Sequence, residues 1–161
     1  MTVPYFSVFL ELDGPFGGTQ TSWTDINHSI DFGSITKVQI RSGSVIDAIR
    51  FQYGETWGPW HGSNQGDNSE PIELQHGERI IKIQGTTNPN FYNVVNVISS
   101  IEFHTNQGRK IGPYGQPSSN DVPWAIEREQ CALAWIAGDS SKHNLMDQSG
   151  YIRSLSFKFQ C

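Results

Sequence analysis

The chain of 161 residues is rich in aromatic side chains (Phe 9, Trp 5, Tyr 5) and in turn formers (Gly 16, Pro 8), while segments with helical periodicity are almost absent. That composition fits one domain, residues 1–161, built from short strands, and it argues against a helix-rich enzyme fold. A formal net charge of −5, with 11 Lys and Arg dispersed along the chain, excludes non-specific nucleic-acid binding and attraction to an anionic membrane.

A first strand is expected over residues 6–12, leading into Gly14-Pro15-Phe16. Residues 1–12 lack the basic start and continuous apolar run of a leader peptide, and no stretch nears the roughly 20 apolar residues of a membrane span. The expectation is a soluble chain with no membrane insertion. Secretion and a cytoplasmic location both stay open, secretion being preferred; Asn27-His28-Ser29 is a glycosylation sequon that matters only in the first case.

Over residues 35–41, Val38 and Ile40 alternate with Lys37, Gln39 and Arg41, and over 45–53 the residues Ile49, Phe51 and Tyr53 fall on one face. This period of two marks half-buried strands. A second Gly-Pro turn, Gly58-Pro59-Trp60, precedes strands over 79–84 and 94–104, joined by a loop at Asn88-Pro89-Asn90. A third, Gly112-Pro113-Tyr114, precedes strands over 132–137 and 151–159, joined by a polar loop over 138–150. The three second strands align Ile49 with Ile101 and Leu155, and Phe51 with Phe103 and Phe157, so these positions should share one core. Three copies of one hairpin-rich unit are more compatible with a three-sheet prism about a pseudo-threefold axis than with a two-sheet sandwich. The N-terminal strand would complete the last sheet and remove exposed edges.

Other chemistry-bearing residues give weaker signals. Cys131 and Cys161 flank the last hairpin, where an intrachain disulfide, free thiols and an interchain bridge are all open. The five histidines, His28, His61, His76, His104 and His143, show no metal-ligand spacing. Glu70, Glu73 and Glu78 read as a solvated edge rather than a glycosidase pair. Trp23, Trp124 and Trp135 read as packing residues.

The strings Gly14-Pro15-Phe16-Gly17-Gly18, Ile35-Thr36-Lys37-Val38-Gln39-Ile40-Arg41 and Ser42-Gly43-Ser44-Val45-Ile46-Asp47-Ala48-Ile49-Arg50-Phe51 resemble the jacalin-related lectins of the mannose-binding type. Gly66-Asp67, Ile81-Lys82-Ile83-Gln84-Gly85 and Ser100-Ile101-Glu102-Phe103 extend the resemblance along the chain. It implies an all-β fold, the β-prism I of three Greek-key antiparallel sheets, and carbohydrate binding without metal, cofactor or catalysis. It also implies a sugar site made from a Gly-x-x-x-Asp loop and the glycine loop of a neighbouring unit. A carboxylate accepts two hydroxyl hydrogen bonds at once, and glycines let the main chain approach the ring.

Unit one keeps that loop as Gly43-Ser44-Val45-Ile46-Asp47, which by threefold analogy meets Gly58-Pro59-Trp60-His61-Gly62. Asp47 is the expected acceptor, amides near Val45 and Ile46 the donors, and Trp60 or His61 a lateral wall beside Gly62; alternatively Asp47 only caps a turn. At the site facing Gly17 and Gly18, Ser149 and Arg153 replace the Gly and Asp, leaving a less certain site of Tyr151, Ile152 and Arg153 in which Asp147 could serve as acceptor. Val95 and Ser99 stand at the same positions in unit two, so no third site is expected. Mannose-type glycans or glycoproteins are the expected partners, bound weakly enough per site to call for a homodimer. The rival reading is a protein-interaction or structural prism with degenerate sugar sites.

Overall fold

The computed structural model describes residues 11–140 and 150–161. In chain order these form β1 (Asp13–Gly17), β2 (Trp23–Thr24), α1 (Ile26–Phe32), β3 (Ile35–Ser42), β4 (Ile46–Tyr53), β5 (Thr56–Trp57), β6 (His61–Gly62), β7 (Asp67–Asn68), β8 (Ile72–Glu73), β9 (Ile80–Phe91), β10 (Val94–Thr105), β11 (Lys110–Gly115), β12 (Val122–Glu127), β13 (Ala132–Asp139) and β14 (Ser154–Gln160). No described helix is long and apolar enough to cross a membrane.

The strands assemble into three antiparallel sheets. Their orders are β1-β14-β13-β2, then β5-β4-β3-β7 with β6 on β4 and β8 on β3, then β11-β10-β9-β12. In the last, β9, β10 and β11 follow one another and β12 returns beside β9, a Greek-key order. The other two sheets repeat it, and β1 and β2 supply from the start of the chain what β13 and β14 lack. The strand that completes the last sheet is therefore β1 itself. The one expected over residues 6–12 lies outside the described residues except for Glu11 and Leu12, which are not in a strand.

The shared core forms at the aligned positions. Ile49, Ile101, Leu155, Phe51, Phe103 and Phe157 are all fully buried, and the Phe51 and Phe103 rings meet edge to face at 5.9 Å. At one end of the prism the units are tied by main-chain bonds: the Ile98 N–H donates to the Ile152 carbonyl at 2.9 Å and the Ile152 N–H to the Ile46 carbonyl at 3.1 Å. Cys131 and Cys161 are joined in a disulfide that fastens the end of β14 to the start of β13.

Four sequence expectations need correction. Asn88-Pro89-Asn90 is not a loop: β9 runs through it to Phe91. Beyond Thr87 only β10 pairs with β9, so the missing N–H of Pro89 falls on a free edge. Nor are the first and third Gly-Pro-aromatic strings turns. They lie within β1 and β11, where Asp13 to Phe16 and Ile111 to Tyr114 each oppose one residue fewer on the partner strand, a bulge at a sheet edge. Helix α1 has no fully buried side chain, so it leaves no apolar stripe to read. Finally, Glu78 is not a solvated edge residue. Its carboxylate takes a charge-assisted pair from Arg109 at 2.6 and 3.0 Å and a bond from the Thr105 hydroxyl at 2.7 Å.

The Arg109 guanidinium is the main reason the Glu78 carboxyl is held down to about 2. Removing it would strand a carboxylate whose side chain is 1% exposed. Arg109→Ala should therefore lose about 3 kcal/mol in urea unfolding at neutral pH. Because the Glu78 pKa is depressed on folding, this stabilisation is complete above its ordinary value of 4.5 and is lost as pH falls through about 2. The difference between wild type and variant should shrink over that interval.

Candidate functional site

In each sheet one edge-strand glycine with positive φ lies against the backbone of a residue in the neighbouring segment. Gly17 (φ 85) sits on Arg153, Gly62 (φ 115) on Asp47 and Gly115 (φ 88) on Ser99, and a Cβ at any of them would collide with that residue's carbonyl oxygen. Only glycine takes both this backbone angle and this approach without strain. The three contacts fix a threefold equivalence in space: Asp47, Ser99 and Arg153 occupy one position three times.

The same contacts revise the alignment of the repeat. Phe16 opposes Leu155, Tyr114 opposes Ile101, and in unit one it is His61 that opposes Ile49. Gly58-Pro59-Trp60 is thus displaced by one residue, and His61 rather than Trp60 is the counterpart of Phe16 and Tyr114. Its ring stacks on Trp23 at 3.7 Å between centroids, as Phe16 stacks on Trp124 at 4.9 Å.

The two residues expected as lateral walls, His61 and Trp60, each make other contacts. His61 is buried, with Nε2 2.6 Å from Asp25 Oδ1, and Tyr53 donates its hydroxyl to Asp25 Oδ2 at 2.7 Å. Asp25 is fully buried and sits at the N-terminal boundary of α1, yet its side chain caps nothing there. Burial and the Asp25 charge push the Tyr53 hydroxyl far above its ordinary pKa. Trp60, moved by the one-residue offset, lies under the guanidinium of Arg41 at 4.0 Å and that of Arg50 at 4.7 Å. Arg41 in turn donates to the Ser63 carbonyl at 3.1 Å and to Asn68 at 2.8 Å.

What does surround Asp47 is main chain. The Gly43 N–H donates to the Val45 carbonyl at 3.1 Å, closing the loop, with Gly43 and Ser44 exposed. Val45 is buried against Val94 and Val97, and Ile46 lies in the core. Gly62 lies against the Asp47 backbone, and the Ser63 N–H donates to the Asp47 carbonyl at 2.9 Å. Gly66 approaches the Asp47 carboxylate from the other side, bringing Asp67 with it. Sequence reasoning noted Gly66-Asp67 without giving it a place at the site, and it missed Asp25 entirely. The glycine beside an acid was the available signal for the first.

Asp47 is 6% exposed as a residue, and its carboxylate makes no hydrogen bond to any described residue. Burial, and secondarily the charge of Asp67, push its pKa up to about 6. At the equivalent positions the chemistry differs. The Ser99 hydroxyl is engaged by Asp121 at 2.6 Å and Thr86 at 2.7 Å. Around Arg153 the structure brings together Gly17 and Gly18, whose N–H donates to the Arg153 carbonyl at 2.7 Å. Tyr151 packs edge to face on Phe91 at 5.3 Å, while Ile152 is a core residue with no exposed surface. Asp147 lies outside the described residues.

Three antiparallel sheets closed on one another, with Asp47 set among glycine main chain at one end, define the β-prism class. Residues 13–152 match the jacalin-like lectin domain family, and the chain belongs to it. It is 29% identical over 109 residues to zymogen granule membrane protein 16 of Rattus norvegicus, a match that spans 67% of this chain and only 60% of that protein. Among solved structures it resembles AcmJRL, a mannose-binding jacalin-related lectin from Ananas comosus, with 25% identity, TM-score 0.72 and coverage of 93% of this chain and 96% of that one. Frutapin, a lectin from Artocarpus incisa, has the same fold at 22% identity, with TM-score 0.74 and coverage of 94% and 97%.

The raised pKa of Asp47 yields a stability prediction. Its folded-state pKa, about 6, lies above the ordinary 3.8, so stability is greatest below that ordinary value and declines as pH rises through about 6. Asp47→Asn, neutral at every pH, should be about 2 kcal/mol more stable than wild type at pH ~8 in chemical denaturation. A carboxylate that only capped a turn would give the opposite sign.

Proposed function

We propose that the chain is a non-enzymatic lectin module that binds mannose-type glycans at the pocket formed by residues 43–47, Gly62–Ser63 and Gly66–Asp67, and that residues 1–161 act as one domain. The observation that carries this reading is Asp47: a nearly buried residue whose carboxylate has no hydrogen-bond partner among the described residues, beside main chain held open by glycines. Burying an unpaired charge costs several kcal/mol. Vicinal sugar hydroxyls are donors that would satisfy it, and main-chain amides beside it can donate to the sugar's oxygens. The mannose binding of AcmJRL, 25% identical, supports the same sugar class.

A monosaccharide in a shallow pocket gains little, so effective binding to glycoproteins requires several sites at once. We place that avidity in a homodimer. Cys161 is bonded to Cys131, so the dimer contact would be non-covalent. The same disulfide favours an oxidising, extracellular compartment.

Calorimetric titration with methyl α-mannoside tests the site. Asp47→Asn should reduce affinity at least tenfold, because a neutral amide accepts fewer and weaker bonds from hydroxyls. In the wild type, affinity should be flat above pH 6 and fall as pH drops below the Asp47 pKa of about 6, since protonation removes an acceptor. Undiminished binding by Asp47→Asn would move the sugar elsewhere.

A further inference from the structure

The position equivalent to Asp47 in the last unit holds a cation instead of an anion, on a backbone that is otherwise preserved. Gly17 and Gly18 seat against Arg153 as Gly62 and Ser63 seat against Asp47, so the glycine-lined approach for a ligand is still built. A guanidinium has five donors and no acceptor. It therefore reverses what the position can recognise: hydroxyl donors are poor partners for it, and anionic oxygens are strong ones.

Two further observations show that this cation is not spent on the fold. Among the described residues Arg153 forms no ion pair. Its single side-chain hydrogen bond is a long one, from Nη2 to the Val95 carbonyl at 3.3 Å, and its Nε is buried with no acceptor. A structural arginine is ordinarily satisfied, as Arg109 is by Glu78 and Arg128 is by Asp13.

The second observation lies next to it. Val95, which receives the Arg153 bond, follows the turn of the β9–β10 hairpin, and Phe91 of that hairpin packs on Tyr151. At the tip, Tyr92 is 86% exposed and held at φ 47, with Asn93 at φ 68. A bulky aromatic in the left-handed region, pointing into solvent, is a costly choice where Asn or Gly would serve. The Tyr92 ring packs edge to face on Phe91 at 4.8 Å and is otherwise exposed, on the hairpin whose Val95 carbonyl takes the Arg153 bond, so it offers a stacking face for the apolar side of a sugar.

We propose that Arg153, with Gly17, Gly18, Tyr151 and the Tyr92 hairpin tip, forms a second saccharide site selective for sugars bearing an anionic substituent, a carboxylate or a sulfate ester. The saccharide part of this statement rests on the lectin reading of the fold; the charge preference rests on Arg153 alone. The whole chain carries a net charge of −5, so a preference for anions cannot come from its overall field and must be local.

The test is calorimetric titration of the full chain with two matched pairs, sialyllactose against lactose and 6-sulfated N-acetyllactosamine against its unsulfated parent, with methyl α-mannoside run in parallel. In the wild type at least one anionic member should bind about tenfold or more tightly than its neutral parent, and the preference should weaken between about 0.15 M and about 1 M salt. A preference confined to one pair identifies the carboxylate or the sulfate as the recognised group. Arg153→Gln should abolish the preference while retaining methyl α-mannoside affinity, and Arg153→Lys should restore part of it. Tyr92→Asn relieves the left-handed strain, so it should melt no lower than wild type yet bind the anionic sugar several-fold more weakly. The proposal is overturned if both pairs bind alike, or if the preference survives Arg153→Gln. Should Arg153→Gln not fold, unchanged affinity in Tyr92→Asn overturns the site as drawn. Asp47→Asn separates the two readings: it should lose the mannoside and keep the anionic preference.

Discussion

The prism depends on three places where a strand's main chain is pressed onto its neighbour without a side chain between them. At Gly17, Gly62 and Gly115 the backbone takes a positive φ and lies on the carbonyl of Arg153, Asp47 or Ser99. Each contact sets the register of an edge strand and turns the preceding ring toward the next sheet. Phe16 of the first sheet meets Trp124 of the third, and His61 of the second meets Trp23 of the first. Both stacks run in one cyclic sense, from the first sheet to the third and from the second to the first. Stacked aromatic pairs are worth about 0.5–1.5 kcal/mol beyond burial, so these two corners are held by more than buried area alone.

Unit one shows what happens when a corner is remade. With a histidine in the aromatic place, the ring brings a polar edge into the interior, and that edge needs a partner. Asp25 supplies it, with Tyr53 on its other oxygen. The network joins β6, β4 and the entry to α1, so it fixes the segment that carries Gly62 directly beside Asp47. The displaced Trp60 is used outside, in a stack with Arg41 and Arg50. Through its bonds to Ser63 and Asn68, Arg41 also braces the stretch that carries Gly66 and Asp67. The surroundings of Asp47 are thus held on one side by a buried hydrogen-bond network and on the other by cation–π contacts.

Much of this was legible in the sequence because it depends on periodicity. The alternation of period two gave β3, β4, β10 and β14, and the recurrence of Ile and Phe gave the core at Ile49, Phe51 and their counterparts. The meeting of Gly17 with the segment at Arg153, and of Gly62 with Asp47, was expected from the family resemblance and the threefold analogy. What could not be read were offsets and environments. A one-residue displacement leaves Gly-Pro-Trp looking like its counterparts while exchanging the roles of Trp60 and His61. Asp25 stands before a helix, where an acid looks like a cap, and only the fold shows that Tyr53 and His61 converge on it. Glu78 looks solvated beside Glu70 and Glu73 because its partner Arg109 is far along the chain. Pro89 reads as a loop residue until β12 is seen to end its pairing at Thr87, leaving that edge of β9 free.

The threefold backbone makes the divergence of its three loop ends easier to interpret. Identical main-chain surroundings place a carboxylate at Asp47, a hydroxyl at Ser99 and a guanidinium at Arg153, so the differences among them belong to the side chains. Each has been treated by its surroundings according to its charge. The Ser99 hydroxyl is consumed internally by Asp121 and Thr86, which closes that position as a fully satisfied network. Among the described residues the two charged groups are short of partners, Asp47 with no hydrogen bond and Arg153 with a single long one. Leaving a charge unsatisfied is costly in a folded protein, and the neutral position shows that this scaffold can supply internal partners at the same place. The incomplete satisfaction of the two charged positions, one acceptor and one donor, is therefore better explained by partners arriving from outside than by any requirement of the fold.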